Sequence, residues 1–139
     1  MTRLLFLDFD GVLHPTSATA DRLFSQVSLL AACLADEDCS LVISSSWRHH
    51  HPLPELIERI PLTMRRRIVG ATGGPCFGRW PRHQEILAFV GEAAVGPDWR
   101  ALDDSVNEFP ERCPQLIACD PNLGFDVPQA RALSRWLTR

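Results

Sequence analysis

The chain contains no lysine; all fourteen of its basic residues are arginine. Any cation its chemistry requires is therefore an arginine side chain or a metal ion. No apolar run approaches the ~20 residues needed to span a bilayer, so no membrane partner is expected. No CxxC pair occurs among the five cysteines, Cys33, Cys39, Cys76, Cys113 and Cys119. That odd set fits reduced, mostly buried thiols better than a disulfide framework or a zinc site. A net positive charge is also missing: the formal charge is −3. A broad footprint on duplex nucleic acid is thereby disfavoured, although a local basic pocket is not. The opening Met1-Thr2-Arg3 runs straight into an apolar strand, without the features of a signal peptide, so a cytoplasmic protein is expected. There is no repeat, low-complexity tract or linker, and the length suits one domain over residues 1–139.

What is present is an alternation of short apolar strands with helical patterns. Strands are expected at residues 3–8, 41–43, 68–69, 99–102 and 115–118. Helices are expected at 21–36 with Asp21 as N-cap, at 53–60, from Pro81 onward with Ile86, Leu87, Phe89 and Val90 inward, and at 127–138. Fully apolar strands separated by helices predict an α/β fold: a three-layer α/β/α sandwich around a parallel sheet of about five strands. Ligands in such sheets bind beyond the carboxyl ends of the strands.

The residues at those ends carry the chemistry. Leu4-Leu5-Phe6-Leu7 is followed by Asp8-Phe9-Asp10-Gly11. Alternation along a strand lets Asp8 and Asp10 face the same way, and paired buried acids are costly without a cation. Leu41-Val42-Ile43 ends in Ser44, and the fourth strand ends in Asp103-Asp104. Together the acids offer hard oxygen ligands for one Mg²⁺. Asp103 and Asp104 could equally cap the next helix with Ser105, and Ser44 could be a turn hydroxyl. Arg82, in the first turn of a helix, opposes the helix dipole, which suggests a functional reason; Arg79 is its rival. Trp47 and Arg48 could form a substrate-side platform or simply pack. His14 sits in the segment expected to flap over the site. His49-His50-His51 reads as a solvated loop, and Arg65-Arg66-Arg67 as a solvated helix end.

The set resembles the haloacid dehalogenase superfamily of Mg²⁺-dependent phosphohydrolases. Asp8-Phe9-Asp10-Gly11-Val12 matches its first motif, Ser44 the second, Arg82 the third and Asp103-Asp104 the fourth. Ile43-Ser44-Ser45-Ser46-Trp47-Arg48, Arg82-His83-Gln84-Glu85-Ile86 and Ala101-Leu102-Asp103-Asp104-Ser105 are similar to its small capless branch, which includes the phosphatase-like domain of bacterial RNA-repair proteins. The resemblance implies a Rossmann-like fold and a nucleophilic Asp8 that forms an aspartyl-phosphate. It implies Asp10 as general acid and base, and Mg²⁺ held by Asp8, the Asp10 carbonyl and Asp103 or Asp104. Ser44, Arg82 and the backbone N–H groups after Asp8 would hold the phosphoryl oxygens.

The stretches from Asp10 to Ser44 and from Ser44 to Arg82 are filled by the expected elements, leaving no room for a cap. An open site suits large substrates, such as phosphorylated nucleic-acid ends or proteins, or relies on oligomerisation to close over small ones; the net charge favours an RNA or DNA terminus or single strand, touched through Trp47, Arg48 and Arg79. A phosphotransferase, or a non-catalytic phosphate-binding module on the same fold, is the alternative. The intact acid at Asp10 favours the enzyme, because a binder needs no acid/base.

Overall fold

Strand β1 (Arg3–Leu7) is the centre of a five-stranded parallel sheet in the computed structural model, which describes residues 3–91 and 98–139. Met1 and Thr2, read above as leading into this strand, lie outside the described residues. The order is β3-β2-β1-β4-β5, with β2 at Cys39–Ile43, β3 at Ile68–Ala71, β4 at Trp99–Asp103 and β5 at Leu116–Ala118. The chain fills the sheet outward on one side of β1, then crosses to the other, so the switch point lies between β1 and β4. Ligands of open α/β sheets bind at that point.

Alternation along the strands builds two cores. Leu5, Leu7, Leu41, Ile43 and Leu102 face one side, where they meet α1 (Val27–Leu34), α2 (Leu53–Arg59), α3 (Leu62–Arg65) and α5 (Val127–Leu137). Phe6, Val42, Trp99 and Ala101 face the other, against Ile86 and Val90 of α4 (Pro81–Val90). The result is the expected three-layer α/β/α, Rossmann-like sandwich. Among the described residues, only a 3-10 turn (Ala20–Arg22) and α1 stand between β1 and β2. Among those residues no helix is long and apolar enough to cross a membrane. All five cysteines are free, and burial pushes the Cys39 thiol up to about 11.

The helix expected at 21–36 is shorter and starts later. Phe24 has φ 63, a left-handed conformation that ends any helix begun at Asp21. Asp21 accepts a hydrogen bond from Thr19 Oγ1 instead of capping, and Gln26 is the N-cap of α1. Phe24 matched helical spacing because it turns inward, against Phe9 and Trp47. On α4, Leu87 is exposed, not inward; the inner positions go to Arg82, Glu85, Ile86 and Val90. The arginines at 65–67 are not all solvated. Arg65 donates to the carbonyls of Ile60 and Glu58, and Arg67 to those of Glu37, Cys39 and Leu34, which ties each side chain to the main chain.

Helix α5 is fixed at its start by a capping box. Asp126 accepts from the Val127 N–H (2.9 Å), and Gln129 accepts from the Asp126 N–H (3.0 Å) while donating to the Ala118 carbonyl of β5. Replacing Asp126 by alanine is expected to cost about 1 kcal/mol, read as a lower urea midpoint with an unchanged slope.

Candidate active site

The sheet ladder continues one residue past the last paired level, and this aligns the candidate residues. Leu7 pairs with Ile43 on one side and Leu102 on the other. Beyond them, the Asp8 N–H donates to the Leu102 carbonyl (3.1 Å) and the Ser44 N–H to the Leu7 carbonyl (2.9 Å). Asp8, Ser44 and Asp103 therefore stand side by side at one level, each rigidly held by main-chain bonds. The same ladder puts Thr72 beside Ser44, its N–H on the Ile43 carbonyl at 2.9 Å.

Ligand oxygens of Asp8, Asp103 and Asp104 lie within 4.8 Å of one another. Asp8 is 5% and Asp103 1% exposed. Burial, then the Asp103 charge, raises the Asp8 carboxyl well above the ordinary range; burial raises Asp103 to about 6. Gly11 lets Asp104 join them. Its φ is 76, and a Cβ there would strike the Asp104 carboxylate, so glycine is needed for both the turn and the close approach.

Arg82 comes in from the first turn of α4. It is 7% exposed, with Nη1 3.7 Å from Asp8 Oδ1 and 3.4 Å from Asp103 Oδ2. Burial works against its charge, but Asp103 and Asp8 more than offset this and raise its pKa. Arg79, the rival, stacks on Trp80 at 6.0 Å. Trp80 itself turns left-handed (φ 57) just before Pro81, so Arg79 and Arg82 diverge at this corner.

Arg48 is not a surface platform. Its Nη2 donates to Glu85 Oε1 at 2.6 Å, and both side chains are 6% exposed. Arg48 also donates to the carbonyls of Ser45 and Gly73, so it ties the loops after β2 and β3 to α4. Trp47 is likewise committed inward, its indole N–H donating to Asp10 Oδ2 at 2.9 Å. Asp10 Oδ1 meets His14 Nε2 at 2.8 Å, so the Asp10 carboxylate is held on the flap side and is not one of the three clustered groups. Of the N–H groups after Asp8, that of Phe9 donates to Asp8 Oδ1 (2.8 Å) and that of Gly11 to the His14 carbonyl (2.9 Å), so both are already engaged. Asp103 Oδ1 accepts from the Ser105 N–H (2.8 Å), but neither acid caps the 3-10 turn that follows (Val106–Glu108): its N-cap is Ser105, without a side-chain capping bond. The histidines at 49–51 join no acidic or thiol cluster among the described residues.

Three buried polar atoms at this end of the sheet have no hydrogen-bond partner among the described residues: Ser44 Oγ, Thr72 Oγ1 and Arg82 Nη1. Buried donors are nearly always paired, so an unpaired set beside a carboxylate cluster points to an oxygen-rich ligand. Thr72 went unread in the sequence because β3 was expected to end at Val69; it runs on to Ala71. The cluster itself fits a hard divalent cation. It offers three oxygen ligands, two of them pushed toward the neutral form by burial and then by neighbouring carboxylates, and a cation such as Mg²⁺ would favour their ionised form.

A parallel sheet carrying a carboxylate pair after β1, a hydroxyl after β2, an arginine on α4 and an acid pair after β4 defines a haloacid dehalogenase-type domain. The family profile described as the HAD domain in Swiss Army Knife RNA repair proteins matches residues 4–130, and the chain belongs to that family. Phosphatase-type chemistry is the chemistry of that superfamily. No curated protein and no solved structure matches the chain.

The raised Asp103 carboxyl gives the metal-free protein a defined pH dependence. Its folded pKa, about 6, lies above the ordinary 3.8, so the stability it supports is full below about 4 and lost as pH rises through about 6. The melting temperature of metal-free protein is expected to fall as pH rises from about 4 through about 6, with the raised Asp8 carboxyl adding to the fall. Asp103→Asn should flatten that fall and raise the melting temperature at the alkaline end, as read by calorimetry in EDTA.

Proposed function

We propose that the protein is a Mg²⁺-dependent phosphatase that hydrolyses a phosphate monoester through an aspartyl-phosphate on Asp8. The observation that carries this reading is the pairing of buried, unpartnered Ser44 Oγ and Arg82 Nη1 with the Asp8–Asp103–Asp104 cluster. Asp8, Asp103 and Asp104, with the Asp10 carbonyl, would hold the ion. When bound, Mg²⁺ offsets repulsion between the carboxylates and the phosphate oxygens and orients the phosphoryl group.

The chain's own residues supply the remaining steps. An Asp8 oxygen attacks phosphorus while the bond to the leaving oxygen breaks, and the Asp10 carboxyl gives its proton to that oxygen. Asp10 then takes a proton from water as the water oxygen attacks the aspartyl-phosphate, which frees phosphate and restores Asp8. Ser44 Oγ and Arg82 Nη1 bond the phosphoryl oxygens, whose charge they meet in a buried site. Arg82 also favours the ionised, nucleophilic form of Asp8, against burial. Asp8→Asn and EDTA are each expected to abolish hydrolysis of a generic phosphate monoester, with the far-UV spectrum of the variant unchanged. Turnover by Asp8→Asn would overturn the assignment.

For substrate we infer a phosphorylated nucleic-acid end. The support is the family's description and the exposed group ahead of α4: Phe77 (86% exposed), Trp80 (37%) and Arg79. Aromatic faces stack on unpaired bases, and arginine adds charge. This group takes the place expected for Trp47 and Arg48, both of which are engaged inward. Trp80→Ala with Arg79→Ala is expected to raise KM about tenfold for a phosphorylated oligonucleotide, and to leave KM for a small aryl phosphate unchanged.

A further inference from the structure

We propose that His14 and Trp47 are positioning residues for Asp10: two N–H donors, one on each carboxylate oxygen, that aim it at the leaving group. The proposal rests on the phosphatase reading and assigns roles within it. The observation is a convergence. His14 Nε2 lies 2.8 Å from Asp10 Oδ1, and Trp47 Nε1 2.9 Å from Asp10 Oδ2. The Asp10 side chain is 45% exposed, so nothing in its packing alone would stop it from turning into solvent. Two bonds to separate oxygens fix both its position and the plane of its carboxylate. A general acid misplaced by an ångström loses much of its value.

The direction of the histidine bond follows from its other nitrogen. The Phe24 N–H donates to His14 Nδ1 at 3.2 Å, so that nitrogen carries the lone pair and Nε2 carries the proton. His14, 1% exposed, is thus a fixed donor toward Asp10. Phe24 delivers its N–H from φ 63, a conformation uncommon for a bulky side chain. That conformation also ends the helix that the sequence pattern predicts there. Trp47 is fixed from its own side: its backbone N–H donates to Ser45 Oγ, and its ring packs on Phe9 at 5.2 Å and on Phe24 at 6.2 Å. Aromatic packing would be satisfied with the indole and imidazole N–H groups facing anywhere. Here both face one carboxylate.

The test exploits what a general acid does. Protonating the leaving oxygen matters greatly for an alkoxide and little for a stabilised nitrophenolate. The full chain is assayed on a graded series from nitrophenyl phosphate to an alkyl phosphate. Trp47→Phe and His14→Ala are expected to lower kcat/KM about tenfold or more at the alkyl end and less than about threefold at the nitrophenyl end. His14→Gln, which keeps a donor, should recover part of the loss. An equal loss along the series, or none, would reduce the cluster to packing and overturn the proposal. A second measurement needs no turnover: the indole signal of Trp47 and the ring-nitrogen signals of His14, by NMR, in wild type and Asp10→Ala. Both are expected to shift, and unmoved signals would also overturn the proposal. Shifted signals in a wild type that hydrolyses no phosphate ester would instead sink the phosphatase reading, and the catalytic purpose of the arrangement with it.

Discussion

Like charge held out of water is the constraint around which this molecule is arranged. Asp8 and Asp103 are buried side by side, with Asp104 in reach of both. Left alone they would protonate or splay apart. The main-chain bonds at the strand ends keep them from splaying apart, and burial pushes both toward the protonated form. Arg82 offsets part of the charge, yet it touches neither carboxylate closely enough to hydrogen-bond. The cluster therefore keeps a deficit of positive charge. A protein selected only for stability would not keep that deficit, whereas one that must bind a cation and a phosphate needs it.

The two faces of the sheet divide the work. The face under α1, α2, α3 and α5 is almost wholly apolar, and its burial secures the strands. The opposite face carries a smaller core under α4, and there the inward positions of the helix nearest the strand ends are polar. Glu85 accepts from Arg48 and from the Cys76 N–H, and it also lies 3.9 Å from Arg82 Nε. Through Glu85 the loops after β2 and β3 are tied to the same helix that presents Arg82. A cation at the first turn of a helix is unfavourable to the dipole. Here Asp8, Asp103, Glu85 and Glu108 outweigh that cost.

The parts legible in the sequence are those governed by short-range pattern. Short, mainly apolar runs marked the strands, and the polar residues after the first, second and fourth marked the site, because a parallel ladder puts successive strand ends at one level. Asp8, Ser44 and Asp103 could be read in this way. The parts that were not legible depend on long-range choices. Phe24 breaks a helix whose spacing was correct because its N–H is taken by His14 and its ring by Phe9 and Trp47. Arg48 looked like a surface residue until Glu85, far along the chain, arrived to bury it. Thr72 was hidden by the glycine and alanine of β3, residues that carry no strand signal of their own.

The placement of Asp10 follows from the same economy of charge. A fourth carboxylate drawn into the cluster would add repulsion where two groups are already pushed toward neutrality. Its side chain is turned to the flap, onto neutral donors that satisfy both oxygens without bringing in another cation. The chain has no lysine to spare for that purpose, and an arginine there would compete with Arg82 for the incoming phosphate. Neutral N–H donors avoid both problems. On the proposed phosphatase reading they would leave Asp10 beside the phosphoryl site but apart from the clustered acids, so that one strand end would hold the nucleophile in the cluster and, two residues on, the acid/base outside it.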